Sequence, residues 1–72
     1  MLVYVNGDPT ELAEGISLAG LITQLDLPSQ RIAVEHNRTV VRRSQWESTL
    51  LTEGDRVEIV HFVGGGYSSI GF

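Results

Sequence analysis

Val57-Glu58-Ile59-Val60-His61-Phe62-Val63-Gly64-Gly65-Gly66 sets the architecture of this chain. The first seven residues are rich in apolar and β-branched side chains (Val57, Ile59, Val60, Phe62, Val63), which predicts a strand over Val57–Val63. Three glycines follow, and they have no side chains with which to pack a core. They make a thin, unbranched thread that fits a channel too narrow for side chains. With period-2 alternation, Val57 and Ile59 face one side of the strand, and Glu58, Val60 and Phe62 the other. The globular part therefore ends at residue 63. Residues 64–72 are expected to form a flexible glycine-rich tail with a six-residue extension, Tyr67–Phe72.

Upstream of this strand, the chain supplies its partners. Leu2–Val5 is apolar and predicts a first strand. Asn6-Gly7 is a strong hairpin signal, because both residues tolerate positive φ. Pro9–Ala13 returns as a second strand, with Pro9 suited to a sheet edge because it lacks an N–H. Ser17 is placed to cap a helix, and Leu18, Leu21, Ile22 and Leu25 recur at helical spacing as one apolar stripe. Pro28 disfavours helix at Leu27 and is expected to end it. Ile32–His36 predicts a third strand, Asn37-Arg38 a turn and Thr39–Val41 a fourth strand. Ser44 is expected to cap a short helical turn through Trp46 and Glu47. Leu50 and Leu51 are expected in the core, and Glu53-Gly54-Asp55 forms a turn into the last strand.

One amphipathic helix must lay its stripe on one face of such a sheet. The expected class is α+β: a β-grasp, ubiquitin-like domain over residues 1–63, with a mixed four- to five-stranded sheet packed on one main helix.

Composition narrows the function. A chain of 72 residues makes one small domain. It has no cysteine, which excludes disulfides, thiolate metal sites and a thiol nucleophile on this chain. A net charge of −4 argues against binding a phosphate backbone. The N-terminal run is neither a signal peptide nor a membrane span, and the expected location is the cytoplasm. His36 and His61 lack the clustered ligands of a metal site. Ser68 and Ser69 have no orienting acid or base for hydrolase chemistry. Trp46 is expected as a core plug. Arg42-Arg43 is read as a solvated pair, with contact to an acidic partner as the sharper alternative.

The chain resembles the ThiS family, the sulfur carriers of thiamine biosynthesis. The resemblance is carried by Val5-Asn6-Gly7, by Leu18, Leu21 and Leu25, and by Ala33-Val34-Glu35-His36-Asn37. It continues through Val40-Val41-Arg42-Arg43-Ser44-Gln45-Trp46, Leu51–Val57 with Gly54-Asp55, and Val63-Gly64-Gly65-Gly66. It implies a protein co-substrate rather than an enzyme, with no bound cofactor or metal. An E1-like, ThiF-type adenylyltransferase would use ATP to adenylate the Gly66 carboxylate. Sulfur originating from a cysteine desulfurase would convert it to a thiocarboxylate, which donates sulfur to a ThiG-type thiazole synthase. Gly64 and Gly65 would be the thread. Independently of the resemblance, alternation puts Glu58, Val60 and Phe62 on the outer sheet face beside the tail, a candidate docking patch unless they pack on a neighbouring strand or on Tyr67–Phe72; the free carrier is expected to be a monomer.

Members of the family typically end at the Gly-Gly carboxylate, whereas here Gly66 continues into Tyr67–Phe72. Three explanations stay open. A peptidase trims a precursor after Gly66, the extension is foreign to the protein, or the protein no longer carries sulfur. Two other functions also stay open: the related carrier of molybdopterin synthase, and a β-grasp interaction module that never exposes Gly66.

Overall fold

The computed structural model describes residues 1–63 together with 66 and 67. Strands β1 (Leu2–Val5) and β2 (Asp8–Glu11) form a hairpin. Helix α1 spans Leu18–Gln24, and strands β3 (Ile32–His36) and β4 (Thr39–Val41) form a second hairpin. The last long strand is β5 (Arg56–Val63), followed by the two-residue β6 (Gly66–Tyr67). The sheet order is β2-β1-β5-β3-β4, with β6 pairing on β5. β1 and β5 run parallel and every other pair antiparallel, so the sheet is mixed as expected for a β-grasp.

Both hairpins turn as their sequences predict. Asn6 and Gly7 adopt φ of 48° and 86°, and Asn37 and Arg38 adopt 51° and 72°. Two consecutive positive-φ residues match the right-handed twist of the flanking strands. Pro9 sits on edge strand β2, where its missing N–H breaks no interior ladder.

The helix is short, and the surrounding chain secures its N-terminus. The Ser17 hydroxyl accepts a hydrogen bond from the Gly20 N–H at 3.0 Å. The Leu18 and Ala19 amides donate to the carbonyls of Thr49 and Trp46. The N–H groups that a helix start leaves unpaired thus find partners in the loop before β5. Leu18, Leu21 and Ile22 pack with Val3, Ile32, Val34, Val57 and Ile59, which confirms the inward set on β5. Each such side chain contributes about 1.5–3 kcal/mol by leaving water. Trp46 closes the core from the loop, and its indole N–H donates to the Val41 carbonyl at 2.9 Å.

Three local expectations need correction. The helix ends before Pro28 is felt. Asp26 takes φ 56°, the Asp26 amide donates to the Thr23 carbonyl, and the Leu27 amide donates to the Ile22 carbonyl. This is a Schellman ending with aspartate in the position usually given to glycine. Leu25, the last residue of the stripe, keeps a helical backbone but is 37% exposed. Ser44 caps nothing: it lies inside a 3-10 turn, Arg43–Gln45, whose cap position holds Arg42 without a side-chain bond. Leu50 is 59% exposed because its backbone bridges to Ser17, which orients Leu51 inward instead.

Candidate functional site

The tail begins where β5 ends, so the site is built from the way β5 is held. At its start, β5 has strands on both sides: Val57 pairs with Val5 of β1 and with His36 of β3. β1 then stops at its turn, and a side chain takes over. Asn6 Oδ1 accepts from the Ile59 N–H at 2.7 Å, and Asn6 Nδ2 donates to the Ile59 carbonyl at 3.3 Å. One amide side chain thereby continues the ladder for one further residue. Val60 and His61 pair with Ala33 and Ile32 of β3. At the far end, Phe62 pairs with Tyr67 and Val63 with Gly66.

Gly66 is thus paired with Val63, and its carbonyl carbon is joined to the Tyr67 nitrogen in a peptide bond. Gly64 and Gly65 lie outside the described residues, as do residues 68–72. The expectation of a flexible, threading tail falls on those positions.

On the outer face of β5, Arg56 lies over the Tyr4 ring with its guanidinium carbon 5.6 Å from the centroid. Glu58 is half-buried, directly across from Glu35 of β3. Val60 departs from what a protruding docking residue requires, being only 7% exposed. The Phe62 side chain lies outside the described residues.

The other end of β5 carries the tightest polar network. Asp55 Oδ2 lies 2.8 Å from His36 Nε2 and accepts from the Thr52 N–H at 2.9 Å. Asp55 Oδ1 accepts from Asn37 Nδ2 and the Thr52 hydroxyl. Burial works against ionising Asp55, but the bonds from His36, Thr52 and Asn37 outweigh it and hold the carboxyl at about 2. The arrangement is structural: it ties the β3–β4 turn to the start of β5. No group of three or more potential metal ligands occurs among the described residues. No described helix is long and apolar enough to cross a membrane.

The sequence profile of the ThiS family matches residues 3–66. The chain belongs to the ThiS family. It is similar to the ThiS thiamine biosynthesis protein of Geobacter metallireducens, whose crystal structure superposes with a TM-score of 0.81 at 33% identity. That match covers 92% of this chain and all of the other. A thiazole synthase of Magnetococcus marinus is 39% identical over 66 residues. The match takes in 92% of this chain but only 20% of that synthase, so a ThiS-like region occupies one fifth of a longer protein there. The sulfur carrier protein ThiS of Bacillus subtilis is 32% identical over 50 residues, covering 69% of this chain and 76% of that one.

Sequence reasoning missed two parts of this region. Asn6 was legible as a turn residue, but its side-chain bonds to Ile59 carry no local signal. Asp55 was legible as a turn before a strand. Thr52 three residues earlier is the one hint that its carboxylate would be enclosed.

Proposed function

We propose that this chain is a sulfur carrier of thiamine biosynthesis, a protein co-substrate that is not itself a catalyst. The observation that carries the reading is where the family match stops. It runs from Val3 to Gly66, the residue whose carboxylate would be activated. The relatives support the same pathway, one by its name as a sulfur carrier and one by joining a ThiS-like region to a thiazole synthase. They favour thiamine over molybdopterin synthesis.

In this reading a peptidase first cuts the Gly66–Tyr67 bond. A Gly66 carboxylate oxygen then attacks the α-phosphate of ATP on a ThiF-type adenylyltransferase, and pyrophosphate leaves. A persulfide drawn from a cysteine desulfurase displaces AMP to give an acyl disulfide at Gly66; a thiol then attacks its S–S bond, forming a disulfide and releasing the thiocarboxylate, which passes its sulfur to a ThiG-type thiazole synthase. Such a displacement depends on holding the carboxylate in line with the phosphate. The domain contributes a rigid handle and a slender reactive end, Gly64-Gly65-Gly66. The outer sheet face supplies docking at Glu58, with Val60 and Phe62 beside it. The cytoplasm is the compartment this pathway implies, and the carrier acts as a monomer between partners.

One observation favours a second reading, an interaction module that carries nothing. Gly66 is followed by Tyr67, and both pair with β5 as an ordinary chain continuation. Two measurements separate the readings. The intact mass of the protein from its own cells should show a species ending at Gly66, with one oxygen replaced by sulfur. With adenylyltransferase and ATP, pyrophosphate should be released by the chain ending at Gly66 and not by the full chain. A protein that stays full-length under thiamine limitation, and tolerates Gly66→Ala in cells, would be the interaction module.

A further inference from the structure

Strand β4 is the open edge of the sheet opposite β2. The two-residue turn Asn37-Arg38 makes His36 and Thr39 the closing, hydrogen-bonded pair of the hairpin. Pairs alternate along an antiparallel ladder, so Glu35 and Val40 form the non-bonded pair and Val40 turns its N–H and C=O away from β3. The opposite edge agrees with this phase: the Asn37 amide donates to the Arg56 carbonyl, which places Glu35 in bonding register with β5. Val40 therefore presents an unpaired strand edge, and its side chain is 68% exposed.

The surroundings of this edge have a definite chemistry. Arg38, Arg42 and Arg43 are exposed and flank Val40 closely in sequence. None takes part in an ion pair among the described residues. This is three of the five basic side chains, within six residues, in a chain of net charge −4. Beside the strand runs an open groove of about 320 Å³, at the low end of small-molecule pockets. Its apolar lining includes Ile32, Ala33, Val40, Val41 and Trp46, together with Arg43, whose guanidinium donates to the Ser29 carbonyl at 3.3 Å. Ala33 and Val40 belong to the outer face, while Ile32 and Val41 belong to the core side. The groove thus follows the edge of the sheet rather than lying over one face.

We infer that the β4 edge binds an extended acidic segment of a partner protein by strand addition. The partner backbone bonds the Val40 N–H and C=O, alternate apolar side chains enter the groove, and carboxylates meet Arg38, Arg42 and Arg43. Main-chain bonds give such a contact its affinity, and the side chains on either side give it selectivity. Complementary charge sets the orientation and speeds the encounter. Arginine suits the task because its planar fork takes a carboxylate through two bonds. The site is on the opposite edge from β2, two strands from β5, and does not depend on whether Gly66 is ever activated.

The test uses the full chain, labelled with nitrogen-15, titrated with a capped peptide alternating glutamate and valine. A peptide with lysine in place of glutamate serves as the control. The expected result is saturable binding tighter than about 1 mM. The shifts should centre on Val40 and its arginine neighbours, and the lysine peptide should produce none. Val40→Pro removes the outward N–H at an edge position that tolerates proline, and should weaken binding about tenfold or more. Arg38→Glu with Arg42→Glu should weaken it at least as far, so the test stands even where the proline variant fails to fold. Absence of saturation, shifts centred elsewhere, or equal binding of both peptides overturns the inference. So does a single-stranded oligonucleotide that occupies the same arginines where the acidic peptide does not.

Discussion

Asn6 should hold the last part of β5 in place, and two substitutions separate its two contributions. Its side chain accepts from the Ile59 N–H at 2.7 Å and donates to the Ile59 carbonyl at 3.3 Å, and its backbone sits at φ 48°. Asn6→Gly removes both bonds but keeps the left-handed backbone free of strain. An abandoned, partly buried N–H costs about 1–3 kcal/mol, and the longer second bond adds little, so the expected loss is about 2 kcal/mol. Asn6→Ala loses the same bonds and keeps a Cβ in the left-handed region without the polar side chain that lets asparagine tolerate it, so it should fall about 1–2 kcal/mol below the glycine variant. A domain of this length has a total stability of roughly 4–11 kcal/mol, so both effects are large. Urea unfolding followed by the single tryptophan, Trp46, measures them directly. Hydrogen exchange at Ile59, His61 and Val63 should accelerate beyond the change at Val57, which keeps its strand neighbours. Equal stability of glycine and alanine variants would refute the strain argument. Variants within about 0.5 kcal/mol of the parent would refute the whole account, since that is the ordinary scatter of surface substitutions.

Asp26→Gly should stabilise the domain by about 1 kcal/mol. Glycine takes the left-handed position at Asp26 without a Cβ penalty, and a carboxylate leaves the negative end of helix α1. Thermal unfolding checks this, and a lower midpoint would mean the Asp26 side chain does something unseen here. Acid should destabilise the fold through Asp55. Its folded pKa is lowered to about 2, below the ordinary value near 3.9, so its contribution is full above about pH 4 and is lost as pH falls through about 2. The difference in urea midpoint between the parent and Asp55→Asn should shrink across that window, and a constant difference would contradict the assignment.

Much of this fold could be read because local and tertiary preferences agree. The Asn6-Gly7 and Asn37-Arg38 turns, the Ser17 cap and the inward alternation of Val57 and Ile59 all follow from short-range chemistry. What could not be read depends on contacts distant in sequence. Leu50 and Leu51 are adjacent leucines with the same propensity, and only the bridge from Leu50 to Ser17 decides which one is buried. Asp26 ends the helix from a left-handed conformation that aspartate adopts less readily than glycine, so Pro28 gave the louder signal. Val60 faces away from the core cluster by alternation yet is only 7% exposed, which no local pattern in the sequence signals.

The way β5 is held gives the carrier reading its physical form. At Arg56–Val57 the strand is paired with β1 and β3, and the Asp55 network anchors the residue just before it. At Ile59 a strand on one side has been replaced by one side chain. At Val60–His61 β3 remains as the strand partner, and beyond His61 the partner is the chain's own continuation, β6. The support for the strand therefore decreases steadily toward Gly66, and at the end it comes from a segment that cleavage after Gly66 would remove. Trimming would take away Tyr67, the partner of Phe62, along with the residues that block the carboxylate. A single cut would thus create the reactive group and release the strand end that presents it. A domain whose task is to deliver a carboxylate into another protein's closed site needs a firm handle and a detachable end. In the proposed carrier β5 would supply the first through Ile59, and the Gly66–Tyr67 peptide bond is where the second would form.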